Sequence, residues 1–260
     1  MEQKRYKPHL IEFCHSGDIE NAIRAMNEGA DVNGKGIAGS SALKQASMRG
    51  HLPIMLALIE RGANVNVADA TGRTPLHWSC GGNHLQAVSL LISHGAHVNA
   101  RALQGSTPLH WPCERGHQET VLMLIRQGAN LNQTGEYHKT PLDLAALGGH
   151  TQIALALIAH GAICGEENKK VRNLKIAGMT QGQAAVRAGM VDRVKEILES
   201  AGVSHANSAE GPHALANLAK KHNQPEVLAV IQAHLAMRAI DGMVHAASAA
   251  APAQQRSCTS

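Results

Sequence analysis

Aromatic side chains are nearly absent from this sequence: one Phe, two Tyr and two Trp among 260 residues. A core without Phe and Tyr must be built from Leu, Ile, Val, Ala and Met, which stacked small helices can do. So few rings offer no platform for bases. The formal net charge is only +4 and the basic residues are spread out, so nucleic-acid binding is not expected. Long apolar runs are missing as well. No eighteen consecutive apolar residues occur, and no membrane span is expected. Met1-Glu2-Gln3-Lys4-Arg5-Tyr6 is charged and no apolar run follows it, so a secretory leader is not expected either.

Catalytic and metal-binding signatures are also lacking. There is no Gly-x-Ser-x-Gly, no phosphate loop ending in Gly-Lys-Thr, and no Gly-x-Gly-x-x-Gly following a strand. Neither Cys-x-x-Cys pairs nor His-Glu-x-x-His occurs, although the chain has 17 His and five Cys. The expectation is a non-enzyme without metal or cofactor. The five cysteines read as free thiols of a reducing, cytoplasmic setting.

What the chain does contain is a period. Thr74-Pro75-Leu76-His77-Trp78-Ser79-Cys80 returns 33 residues later as Thr107-Pro108-Leu109-His110-Trp111-Pro112-Cys113. Thr140-Pro141-Leu142-Asp143-Leu144-Ala145-Ala146 follows in phase, and Ser41-Ala42-Leu43-Lys44-Gln45-Ala46 precedes. The string starts a helix: Thr can cap the free N–H groups of the first turn, and Pro fits the first helical position. A second marker keeps the same phase at Gly29-Ala30-Asp31-Val32-Asn33, Gly62-Ala63-Asn64-Val65-Asn66, Gly95-Ala96-His97-Val98-Asn99 and Gly128-Ala129-Asn130-Leu131-Asn132. A third is the pair Gly50-His51, Gly116-His117 and Gly149-His150, with Asn83-His84 in register.

These three markers resemble the ankyrin repeat family, whose 33-residue unit carries Thr-Pro-Leu-His-x-Ala. The resemblance covers residues 8 to 164, and more faintly continues to 234. It implies an all-α solenoid of stacked antiparallel helix pairs with projecting hairpin-like finger loops. Five repeats occupy 1–164. A lengthened, charged finger is expected at 165–179, where the period slips by about seven residues. Divergent repeats six and seven with a C-terminal cap would fill 180–245, and 246–260 is expected to be disordered. Asn223 stands where the last turn wants glycine.

Within the repeats, Cys14, Cys80 and Cys113 share one position with Ser47 and Ala146, so that position wants a small side chain. His77 and His110 are expected to hydrogen-bond neighbouring backbone, as the resemblance implies. His51, His84, His117 and His150 are turn histidines. Equivalent residues of adjacent repeats are separated by about 8–10 Å, too far to share a zinc ion easily. Trp78 and Trp111 sit where resembling repeats commonly carry an inward leucine and are read as core. Pro112 removes the N–H that would bond the Pro108 carbonyl, so its helix starts late or bends.

The resemblance also implies where a partner would bind: along a concave face made by the fingers and the ends of the first helices. Candidate contact residues there are Ile37, Met48, Arg49, Arg73, Leu103, Arg115, Tyr137 and Lys139. The cations among them suit a protein partner with acidic residues. The expectation is a monomeric interaction scaffold or adaptor. Two other readings stay open: a bacterial effector acting inside a host cell through the same face, and an enzymatic or ligand-binding function in residues 165–245. In eukaryotic cytosol, Asn33, Asn66, Asn99 and Asn132 would occupy the position that asparagine hydroxylases modify in similar repeats.

Overall fold

The structure is a computed structural model of the chain, and its described residues are 10–163, 181–188, 190–200 and 211–236. The 165–179 finger and the 246–260 tail therefore lie outside the described residues. The chain forms two compact units: Met1–Leu157 with Gly161–Gly178, and Ile158–His160 with Met179–Ser260.

Ten helices fall between residues 10 and 159: α1 (Leu10–Ser16), α2 (Ile19–Asn27), α3 (Ala42–Arg49), α4 (Leu52–Glu60), α5 (Pro75–Gly81), α6 (Leu85–Ser93), α7 (His110–Arg115), α8 (Gln118–Arg126), α9 (Pro141–Leu147) and α10 (Thr151–Ala159). They alternate between two layers. The short first helices α1, α3, α5, α7 and α9 each touch the next, and so do the second helices α2, α4, α6 and α8. Between the layers lie fully buried aliphatic side chains, among them Leu43, Ile54, Met55, Leu58, Leu76, Leu91, Leu109, Leu124 and Leu142. Burying one such side chain stabilises the fold by roughly 1.5–3 kcal/mol, so a stack of leucines suffices without aromatic rings.

The helix starts follow from the repeated string. Thr74 is extended at φ −90°, ψ 166°, and Pro75 takes the first helical position. The Thr74 N–H donates to His77 Nδ1 at 3.1 Å. In the last of these repeats Asp143 replaces the histidine: Thr140 N–H donates to Asp143 Oδ2 at 2.9 Å, and Asp143 N–H to Thr140 Oγ1 at 3.2 Å. Of the two outcomes expected for Pro112, the structure shows the late start. Helix α7 begins at His110, whereas α5 and α9 begin at their prolines. Thr107 and Pro108 precede it in a turn closed by His110 N–H to Thr107 O.

The turn between paired helices uses a left-handed residue. Gly50 has φ +71° and Gly116 +80°, while Asn83 supplies the same geometry at +57°. Asparagine tolerates that region better than most residues, which explains why it substitutes here.

In the second unit, α11 (Gln181–Ala188) packs on α12 (Val191–Ser200) and on α13 (Pro212–Lys221), and a further helix, α14, covers 225–236. Its buried residues are small or aliphatic: Ala184, Ala185, Val186, Val194, Leu198, Leu215, Ala219, Val227 and Ile231. Asn223 holds φ +50° between α13 and α14. Among the described residues no strand occurs, and no helix is long and apolar enough to cross a membrane.

Candidate interaction face

Two ladders tie each repeat to the next. Asn33 donates from Nδ2 to the Gly62 carbonyl at 3.0 Å, and its Oδ1 accepts from the Asn64 N–H at 2.8 Å. Asn66 repeats this with Gly95 O and His97 N–H, Asn99 with Gly128 O and Asn130 N–H, and Asn132 with Gly161 O and Ile163 N–H. The turn histidines form the second ladder. His51, His84, His117 and His150 each place Nε2 on a carbonyl of the preceding repeat: His15, Met48, Gly81 and Glu114, at 2.9–3.3 Å. Burial, together with the nearby Arg115 and His150 charges, outweighs that hydrogen bond in His117 and lowers its pKa.

His77 is buried. Its Nδ1 accepts from Thr74 N–H, which leaves the proton on Nε2, and Nε2 donates to Ser106 O at 3.1 Å. Burial holds its pKa down to about 4. His110 accepts from Thr107 N–H at 2.9 Å, and burial lowers its pKa too. Its Nε2 is near backbone of Lys139 and Gln133 but makes no hydrogen bond of good geometry. These imidazoles are structural locks. Among the described residues, no group of three or more His, Cys, Asp or Glu is placed to hold a metal ion. Cys14, Cys80 and Cys113 are buried free thiols. Burial raises the Cys14 pKa to about 12 and pushes Cys80 and Cys113 up as well, so none is a thiolate nucleophile at neutral pH.

The finger loops are the outward-facing part. Each closes with a backbone bond: Gly36 N–H to Ser40 O, Asp69 to Arg73, Ala102 to Ser106 and Gly135 to Lys139. Adjacent fingers are joined by Ala70 N–H to Ala38 O and Leu103 N–H to Thr71 O, both at 3.0 Å, and by Glu136 N–H to Ser106 Oγ at 3.2 Å. On this row stand three large exposed apolar side chains: Ile37 (94% exposed), Leu103 (79%) and Tyr137 (76%). Tyr137 and His138 both hold left-handed backbone, φ +55° and +53°. That conformation costs roughly 1–2 kcal/mol for an L-residue, and here it presents a ring to solvent. Lys139 Nζ lies 5.7 Å from the Tyr137 ring centroid.

At the inner helices the tryptophans follow the core reading only in part. Neither is fully buried; both are partly exposed and meet edge-to-face, centroids 5.2 Å apart at 71°. Neither ring joins the fully buried core. Trp111 instead lies against the backbone of Gly81, where a Cβ would come within 2.4 Å of the ring. Cations cover both rings. Lys44 is 4.7 Å from the Trp78 centroid, Arg73 is 5.8 Å from Trp78 and 4.5 Å from Trp111, and Arg115 is 5.1 Å from Trp111. Trp78 Nε1 donates to Asp69 Oδ2 at 3.1 Å, and Lys44 approaches the same oxygen at 3.7 Å. Burial works against the Asp69 carboxylate, but bonds from Thr71 and the Arg73 N–H, with Lys44 nearby, hold its pKa below the usual range.

Arg73 and Arg115, both expected contact residues, are thus brought together on one ring. Arg115 is further fixed by Nη1 donating to Gly81 O at 2.6 Å. Arg49 turns elsewhere and donates to His15 Nε2 at 3.1 Å. Met48 is half-buried and serves mainly through its carbonyl, which His84 occupies. Ile37 and Leu103 stand on separate fingers. The sequence reading missed Lys44, Asp69 and the exposure of the two tryptophans. The available signal was Gly81-Gly82, standing where neighbouring repeats carry Met48-Arg49 and Glu114-Arg115.

A family model for ankyrin repeats, in three copies, matches residues 10–102 and 100–173. The chain belongs to the ankyrin repeat family. Ankyrin repeats serve as protein–protein interaction modules in general. No curated protein matches the chain.

Proposed function

We propose that this ankyrin protein is a non-enzymatic scaffold that holds a protein partner with acidic residues along the finger tips and first-helix ends. The observation that carries the reading is the exposure of Ile37, Leu103 and Tyr137 in one row of linked fingers, flanked by Arg73, Arg115 and Lys139. Exposed apolar side chains contribute little to the stack, while aromatic and Arg residues are the side chains that anchor interfaces. The cations give the face a sign that suits carboxylates.

Affinity capture with mass spectrometry tests this. One bait is the wild-type chain; the other carries Arg73→Glu, Arg115→Glu and Tyr137→Ala and is first shown by circular dichroism to melt like the wild type. A protein captured by the first and lost from the second supports the reading. Identical captures from both baits refute the assignment of this face.

A further inference from the structure

We infer that Trp78, Trp111, Arg73 and Arg115 form a carboxylate clamp that reads acidic side chains of an extended peptide segment in the partner; this deepens the proposed interaction role and rests on it. The two guanidinium groups flank the Trp111 ring at 4.5 and 5.1 Å. A guanidinium stacked on a ring gives up its face but keeps its N–H edge, and that edge matches a carboxylate bidentately. Stacking also removes rotamer freedom before the ligand arrives, so less is lost on binding. Arg115 is held further by its bond to the Gly81 carbonyl. Arg73 makes its ring contacts through the guanidinium, while its backbone N–H goes to Asp69.

Charge decides the occupant. The carboxylate of Asp69 faces Lys44 and Trp78 Nε1, so Lys44 already has its counter-ion. Arg73 and Arg115 have no carboxylate partner among the described residues and are the two charges at the Trp111 ring left for a ligand. Single-stranded nucleic acid fits poorly: bases need open ring faces, and Lys44, Arg73 and Arg115 cover these. A protein segment gains from the neighbouring apolar Leu103 as well, 79% exposed on the adjoining finger.

These two rings are the chain's only tryptophans, so intrinsic emission reports the clamp directly. The test uses the full chain. A dodecapeptide phage library is selected on wild type and counter-selected on the Arg73→Ala, Arg115→Ala chain. The selected peptide is then synthesised without Trp or Tyr, alongside its Glu→Gln and Glu→phosphoserine counterparts, and a twelve-residue oligo-dT is the nucleic-acid probe. Expected are selected peptides with two or more Asp or Glu and a change in tryptophan emission on binding. Loss of either arginine, or exchange of Glu for Gln, should weaken binding about tenfold or more, as befits a charge-assisted bidentate pair. Arg73→Lys, which keeps charge but not the planar fork, should restore only part of the affinity. Neutral selected peptides, binding that Arg73→Ala leaves unchanged, silent tryptophans, or tighter binding of the phosphopeptide or oligo-dT each overturn the clamp. Neutral peptides that Ile37→Ala or Tyr137→Ala weakens would overturn it while leaving the interaction role standing.

Discussion

Gly81→Ala is the perturbation that most directly probes the inner face. Gly81 lies in α5 and is buried, and a methyl group placed there meets Trp111 Cε3 at 2.4 Å and Cζ3 at 3.1 Å. Two effects oppose each other. Alanine favours a helix over glycine by about 0.8–1 kcal/mol. Against that, the indole must retreat, and forcing a methyl into a filled space costs typically ~1–3 kcal/mol. The retreat also strips the ring of its edge-to-face partner, worth ~0.5–1.5 kcal/mol, and loosens two cation contacts of ~0.5–1 kcal/mol each. The sum favours glycine, with a net destabilisation of about 1.5–5.7 kcal/mol. Urea unfolding followed by far-UV circular dichroism gives the stability, and near-UV circular dichroism reads the packing of the tryptophan pair. A variant that gains stability by about the helix-propensity difference and keeps its near-UV spectrum would refute the packing of Trp111 on Gly81.

Further outcomes follow from the locks. His77 is neutral in the fold with its pKa held at about 4 and charges more readily when unfolded. The unfolded chain thus binds more protons in the window between, and stability rises with pH there. Denaturant midpoints should fall as pH drops from about 6.5 toward 4, with a slope that His77→Gln reduces, the full effect being on the order of a few kcal/mol. Asn66→Ala removes two bonds between repeats and should cost about 1–2 kcal/mol in urea unfolding, whereas Asn66→Asp, which keeps the acceptor and sets an anion against the Gly95 carbonyl, should not recover the loss. Native-state labelling with a thiol reagent, mapped by mass spectrometry, should leave Cys14, Cys80 and Cys113 unmodified until denaturant is added.

The repeat architecture was legible because the stack imposes one environment every 33 residues, and Thr-Pro, Gly-His and Gly-Ala-x-Val-Asn each answer a local demand. The backbone bond of His77 was implied by the family resemblance, whereas the carbonyls that the turn histidines reach were visible only in the structure. What escaped was whatever differs between repeats. Trp111 and Gly81 are thirty residues apart, and neither alone signals that the ring rests on the glycine. Lys44 and Asp69 join from different repeats and meet each other at the edge of Trp78, whose Nε1 bonds the same carboxylate oxygen. The leucine position is only partly buried where it carries tryptophan, because Trp111 rests on Gly81 and Trp78 turns its Nε1 to Asp69. Asp143 shows the converse: a changed residue type keeping the histidine's bond to the threonine N–H.

The ladders carry a consequence for how such a gene changes length. Each of the ladder asparagines Asn33, Asn66, Asn99 and Asn132 reaches 29 residues ahead to a carbonyl and 31 to an N–H, and each turn histidine reaches 36 behind. Recombination that deletes or duplicates 33 residues hands each donor an equivalent acceptor, and the new junction closes like the old ones. A deletion that is not a whole number of repeats strands both ladders at once. The molecule can therefore be cut and lengthened by unequal crossing-over in whole repeats, with a few finger residues changing its recognition surface while its joints stay interchangeable.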